Sequence, residues 1–187
     1  MADLTPLAVA ALGLLDERQM HPYEMFQLMV QRAEDRLVKV KPGSLYHTVD
    51  RLARERLVTA IGTEREGNRP ERTLYEITDA GRLALTDRVA DLLGAPINEY
   101  PVFPLAMAEA HNLPSGTVRA LLTRRLALLE ADVTAYENNI EAARTRGVPR
   151  QYWIDAEYSL AMLRAEHHWI TGFLAELAAG TLEWSTS

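Results

Sequence analysis

The stretch Lys41-Pro-Gly-Ser-Leu-Tyr-His-Thr-Val-Asp-Arg-Leu-Ala-Arg-Glu-Arg-Leu57 decides the fold. Pro42 suits the first turn of a helix, where its missing N–H is no loss. Leu45, Val49, Leu52 and Leu57 fall close to helical spacing on one stripe, which predicts an inward face. The other side carries Ser44, His47, Thr48, Arg51 and Arg54, with Tyr46 at the border. Small hydrogen-bonding groups near the N-terminus followed by arginines suit a helix lying in a DNA major groove. Periodicity alone favours the plainer reading, an amphipathic surface helix with a solvated face, so the flanking sequence has to decide.

Upstream, Thr5-Pro6 reads as a cap and first helical residue opening an apolar helix through Leu7, Ala11, Leu14 and Leu15. Pro22 opens a second helix with Met25, Leu28, Met29 and Ala33 inward, the methionines serving as core filler. Leu37 to Lys41 links it to the quoted stretch, so three helices precede any strand, in the order of a helix-turn-helix. Downstream the period changes: Val58 to Thr63 and Arg72 to Thr78 are short β-branched or aromatic runs around a Gly-Asn and Pro tip, which predicts a β-hairpin wing. Arg65, Arg69 and Arg72 sit at or beside that tip, placed either to reach phosphates or to pair with Glu64, Glu66 and Glu71. Thr78-Asp79 caps a fourth helix carrying Leu85, Val89, Leu92 and Leu93, and Gly94 ends it.

Pro96, Pro101 and Pro104 mark a domain boundary, followed by a short helix from about Leu105 to His111. Two long helical patterns come next. The first carries Val118, Leu122, Leu129, Val133, Tyr136 and Ile140; after the breaker Arg146 to Pro149, the second places Trp153, Ala156, Leu160, Leu163, His167, Ile170, Leu174 and Leu177 at alternating gaps of three and four. That is the period of a coiled-coil seam. Two such stripes look too extensive to be buried without a partner, which predicts a dimerisation arm built on Leu160, Leu163, His167, Ile170, Leu174 and Leu177.

Composition sets the outer bounds. The 187 residues suffice for one domain or two small ones, and the formal charge of −6 argues against a generally sticky nucleic-acid binder. Charge is unevenly placed, however: residues 36–72 hold nine Lys or Arg against five Asp or Glu, while residues 95–187 hold seven against eleven. The absence of cysteine removes disulfides and thiolate metal sites. The apolar run Leu4 to Leu15 is too short to span a bilayer and lacks signal-peptide flanks, so a cytoplasmic protein with no membrane role is expected.

Three motifs then coincide: Met20-His-Pro-Tyr-Glu24, Gly43-Ser-Leu-Tyr46 with Arg51-Leu52, and Tyr75-Glu-Ile-Thr-Asp-Ala-Gly81. Together they resemble the PadR family of bacterial transcriptional regulators, over roughly residues 5–93 and more loosely after 114. The resemblance implies a winged helix-turn-helix, a homodimer on a palindromic operator in double-stranded DNA, and often repression relieved by a small aromatic or amphipathic ligand. Two positions depart from the family pattern: Pro22 stands where a glycine is usual, and His47 where a proline often follows the tyrosine. The second departure leaves base preference open.

Catalytic readings find little support. His21, His47, His111, His167 and His168 form no His-Glu-x-x-His or comparable ligand set, and neither a Gly-rich phosphate loop nor Gly-x-Ser-x-Gly occurs. No enzyme activity, cofactor or metal is expected. The remaining competitor is a winged-helix interaction module that never touches DNA; the cationic residues count against it, since protein-binding surfaces favour apolar groups.

The sequence therefore predicts a mainly α protein: a winged helix with a β-hairpin wing over residues 1–94, a linker and short helix over 95–113, and a coiled-coil-like helical dimerisation domain over 114–187. Lys39, Lys41, Tyr46, Arg65, Arg69 and Arg72 are expected at phosphates, with Ser44, His47, Arg51 and Arg54 at base edges. Phe103, Tyr152, Trp153, Tyr158 and Trp169 are expected to wall an apolar cleft for an aromatic effector, between the arm and the winged domains, unless Trp153 and Trp169 merely fill the dimer core.

Overall fold

The computed structural model describes residues 4–64 and 72–184, and the chain divides into two compact units, Met1–Glu99 and Tyr100–Ser187. Among the described residues, no helix is long and apolar enough to cross a membrane.

In the first unit, α1 (Pro6–Glu17) is the central element. Thr5 caps it by accepting from the Ala8 N–H at 3.3 Å. It buries Leu7, Ala8, Ala11, Leu12, Leu14 and Leu15, packing against α3 (Pro42–Arg54), α4 (Asp79–Gly94) and β2 (Arg72–Ile77). The helix α2 (Pro22–Gln31) adds Met25 and Met29 to the same core, and α3 adds Leu45, Val49 and Leu52. All five of these side chains are fully buried, as expected for core filler. The strand β1 (Val58–Glu64) pairs antiparallel with β2 from Val58↔Ile77 to Glu64↔Arg72, with a bulge at Ile61. A single bridge between Met20 and Tyr75 ties the start of the helix-turn-helix to the wing, through two bonds of 3.1 and 3.2 Å.

The tightest place in this unit is the corner where α3 hands over to β1. Arg56 takes a left-handed conformation (φ 60°), letting its N–H reach the Ala53 carbonyl while the Leu57 N–H reaches that of Leu52 at 2.9 Å. This is the double-bonded helix ending that glycine usually serves. The Leu57 carbonyl then accepts from both the N–H and the hydroxyl of Thr78, each at 3.0 Å, and Thr78 in turn caps α4 through the Gly81 N–H. A Cβ on residue 81 would lie 2.1 Å from that carbonyl oxygen and 2.8 Å from Cγ1 of Ile77.

Along α4, Leu85 packs on the core, whereas Val89, Leu92 and Leu93 are exposed within this unit.

The second unit contains α5 (Val102–Ala108), α6 (Ser115–Thr145) and α7 (Ile154–Ala179). Polar pairs link α6 to α7, Arg125 to Glu166, Glu130 to His167 and Glu137 to Arg164, and because the start of α6 lies by the end of α7 while Glu141 and Arg144 lie by Glu157, the two run antiparallel. The Trp184 indole donates to the Leu113 carbonyl at 2.9 Å, fastening the end of α7 to the start of α6.

Here the sequence reading needs correcting. The seam residues do not wait for a partner: Ile170 is fully buried with Val118, Leu122 and Leu129 of α6, and Leu163, Leu174 and Leu177 pack on that cluster. Leu160 is buried as well, and His167 is half-buried with Nε2 3.2 Å from Oε1 of Glu130. Two long helices folded back on each other satisfy each other's stripes, so these six residues are explained as the interior of one chain's hairpin.

Two outcomes follow from this packing. Gly81→Ala should destabilise the protein by about 3 kcal/mol or more, at the upper end of overpacking effects, because backbone rather than a flexible side chain stands in the way; thermal melting measures it. Ile170→Asp should cost more than about 3 kcal/mol, by burying a carboxylate without a partner, and should lower the helical circular dichroism. A variant that stays fully helical and merely dissociates would restore the seam to a dimer interface.

Candidate nucleic-acid interface

The first turn of α3 is stabilised by its own sequence. Ser44 accepts from the Lys41 N–H at 3.0 Å and donates to the Lys41 carbonyl at 2.8 Å, and Thr48 donates to the Ser44 carbonyl. The hydroxyl expected at a base edge is therefore already holding the helix start in shape. With 100° between successive residues, the direction opposite Leu45, Val49 and Leu52 passes through His47 and Arg54, with Gly43 and Asp50 along one side of it. All four are exposed.

Tyr46 sits at the edge of that face, its ring meeting the His21 ring edge-on at 5.7 Å. His21 caps α2 by accepting from the Tyr23 N–H through Nδ1 at 3.0 Å. The tyrosine of one helix thus leans on the capping residue of the other. Lys39 and Lys41 are exposed on the link before α3, where cations flank the helix N-terminus. Arg72 lies on β2 opposite Glu64, whereas Arg65 and Arg69 fall outside the described residues.

Arg51 departs from expectation. It lies on the flank of α3, half-buried, with Nη2 donating to the Thr5 hydroxyl at 3.2 Å and Nε buried without a hydrogen-bond partner. The side chain expected at a base edge instead ties α3 to the cap of α1. Arg54 remains exposed, its Nε 3.4 Å from the carbonyl of Asp50. Asp50, neither a cation nor a hydroxyl, is not among the expected base contacts; a helical wheel centred on Leu45, Val49 and Leu52 places it on the exposed side. Its carboxylate lies close enough to Tyr75 on β2 to matter: the Tyr75 phenol is pushed above its ordinary value first by burial and then by Asp50.

The five aromatic residues expected to line an effector cleft are dispersed in the second unit. Phe103 lies under the Arg125 guanidinium at 3.8 Å, Trp153 donates its indole N–H to the Val148 carbonyl at 3.0 Å, and Trp169 stacks on Phe173 at 5.4 Å. Tyr152 and Tyr158 are largely exposed. Trp153 and Trp169 stand sixteen residues apart, about 24 Å along the helix axis. A groove of 560 Å³ does lie between α6 and α7, but Glu137, Glu141, Arg144, Glu157 and Arg164 line it and none of the five aromatics does. Among the described residues, no group of three or more histidines and carboxylates is placed to hold a metal ion.

α7 is apolar on two sides. Ile154, Tyr158, Met162, Ala165 and Trp169 form a second stripe, nearly opposite the one that packs on α6. Tyr158, Met162 and Trp169 are 69%, 52% and 50% exposed.

Comparison with known proteins adds a family and a fold. Residues 11–87 match the transcriptional regulator PadR-like family, whose members are regulators and not enzymes. Among solved structures, Bacillus subtilis PadR in complex with operator DNA is 21% identical, with a TM-score of 0.78 over 92% of this chain and 99% of that one. The same protein in complex with p-coumaric acid is 19% identical, with a TM-score of 0.76 over 92% of this chain and 98% of that one. The Vibrio cholerae virulence activator AphA is 22% identical, with a TM-score of 0.68 over 92% and 98%. No curated protein matches the chain.

The two arginines of α3 give a paired test. Arg51→Ala should lower stability by about 1 kcal/mol through loss of its bond to Thr5, whereas Arg54→Ala should stay within about 0.5 kcal/mol of the parent. Equal melting curves for the two variants would mean Arg51 is not held as described.

Proposed function

From the premise that residues 11–87 are a PadR-like domain of the DNA-binding winged-helix class, we propose that this chain is a homodimeric repressor that binds a palindromic operator through α3. The observation that carries the reading is the exposed line Gly43, His47, Asp50 and Arg54 on a helix whose opposite side is locked into the core, with Lys39 and Lys41 beside its start. A surface of this kind offers base-edge hydrogen bonding in its middle and cations at its margins. The operator complex of the B. subtilis protein supports DNA as the partner.

The dimer rests on the second stripe of α7. An apolar line of five residues, exposed along about four turns, is more than a monomer usually shows to water. A second copy supplies the same line, as a twofold interface requires. Two copies also provide the two recognition helices, roughly 34 to 36 Å apart, that successive half-sites demand. Repression is the simplest consequence of such occupancy, because a dimer seated on a promoter excludes polymerase without any additional contact. The place of action is the cytoplasm, where bacterial operators are. A planar aromatic acid is the effector class to examine, given the p-coumaric acid complex of the B. subtilis protein.

The test uses DNA upstream of the chain's own gene in a gel shift at moderate salt, alongside sedimentation. The parent should be a dimer at micromolar concentration and bind a palindrome there. Met162→Asp should keep its helicity, sediment as a monomer and lose tight binding. Repeating the titration with p-coumaric acid should shift operator affinity and quench Trp169 together, as linkage requires. A parent that binds no palindrome in that DNA would leave the interaction-module reading instead, and a monomeric parent would remove the dimer.

A further inference from the structure

We propose that Asp50 is a specificity-determining residue that accepts a hydrogen bond from the exocyclic amino group of a cytosine, so that each operator half-site requires a cytosine opposite the middle of α3. This rests on the operator-binding reading given above and goes beyond it to a particular base.

The geometry points to Asp50 in three ways. It lies on the outward line of α3, one turn from His47 and one turn from Arg54, while the flanking Ser44 and Arg51 are engaged by Lys41 and Thr5. Its carboxylate has no hydrogen bond or ion pair with any described residue, and the bond from Arg54 goes to its main-chain carbonyl instead. Gly43, one and a half to two turns before it on the same line, has nothing within 4 Å of where a Cβ would be, so the main chain there leaves room for close approach of another surface.

An unpaired carboxylate on a face that meets DNA is repelled by phosphates, and that repulsion acts on every sequence alike. Contact with a base edge converts it to attraction only where the edge offers a donor. In the major groove, cytosine presents its N4 amino group, and adenine presents N6 beside the acceptor N7, which repels a carboxylate; guanine N7 and O6 and thymine O4 are acceptors as well. Cytosine is therefore the base that an aspartate selects. His47, three residues earlier, is displaced by about 4.5 Å along the helix axis, close to the step between neighbouring base pairs, so the two side chains address adjacent positions.

The experiment is selection of binding sites from randomised duplexes by the full-length parent, Asp50→Ala and Asp50→Asn, followed by titration of the selected duplex with each half-site position changed in turn. Because Asp50 is exposed, both variants should melt with the parent. The parent should select one invariant cytosine per half-site and lose about 5- to 150-fold in affinity when it is replaced. Asp50→Ala should be indifferent at that position alone, and Asp50→Asn should shift its preference from cytosine to adenine, whose N6 and N7 suit an amide. If Asp50→Ala selects the same consensus and binds all duplexes more tightly by a common factor, the carboxylate only repels phosphates and the inference is overturned while operator binding stands. If the parent enriches no sequence at all, both the inference and the operator reading fall.

Discussion

The carbonyl oxygen of Leu57 occupies the space that a side chain on residue 81 would need, and the first unit depends on that contact. Leu57 closes α3 through its N–H, leads directly into β1, and receives the main chain and hydroxyl of Thr78 at the start of α4. Helix end, strand start and helix cap are thus fixed within one small region of backbone. Because the N-terminal half of α3 projects from that anchor while α1 and α2 bury its apolar stripe, the direction of the outward face is set by packing on one side and by this corner on the other. Arg51 adds a third restraint from the flank by reaching Thr5.

What was legible in the sequence follows from the range of the interactions involved. The caps at Thr5 and Thr78, the prolines at helix starts and the change from helical to alternating period are local signals, and α1 to α4 and the two paired strands appear where these put them, whereas the short helix expected from about Leu105 to His111 lies at Val102–Ala108 with Pro104 in its first turn. The bond between Arg51 and Thr5 joins residues 46 apart, and no spacing rule reports it. Asp50 is different: it is neither a cation nor a hydroxyl, yet a wheel drawn on the buried residues places the acid on the exposed face, to one side of His47 and Arg54. At Ser44 the hydrogen-bonding residue type is legible, while its bonds with the N–H and carbonyl of Lys41 are seen only in the structure.

The α7 stripe shows a more general limit. Alternating gaps of three and four record that a helix packs along its length on another helix, and they carry no mark of whether the neighbour belongs to the same chain. An antiparallel hairpin and a dimer seam write the same pattern. The loop Arg146 to Trp153 is short enough to return the chain directly, so α6 takes the role first. Evidence for a partner lies in what is left after that packing, the residues Ile154, Tyr158, Met162 and Trp169 on the far side, whose spacing was masked by the stricter stripe.

Charge placement bears on function in both units. The chain as a whole is acidic, yet the residues around α3 are net basic. Diffuse negative charge elsewhere opposes adsorption on arbitrary DNA, and a carboxylate within the reading face opposes it again at close range. Non-specific binding depends on phosphates alone and bears the full repulsion; a cognate site offsets it at one base pair per half-site. On the proposed reading a second copy doubles that discrimination, since each half-site must supply its own donor to offset its own carboxylate. Discrimination gained this way costs absolute affinity, which the cations at Lys39, Lys41 and Arg54 have to restore. A regulator built so is selective because its recognition helix is less attracted to DNA in general than its cations alone would make it.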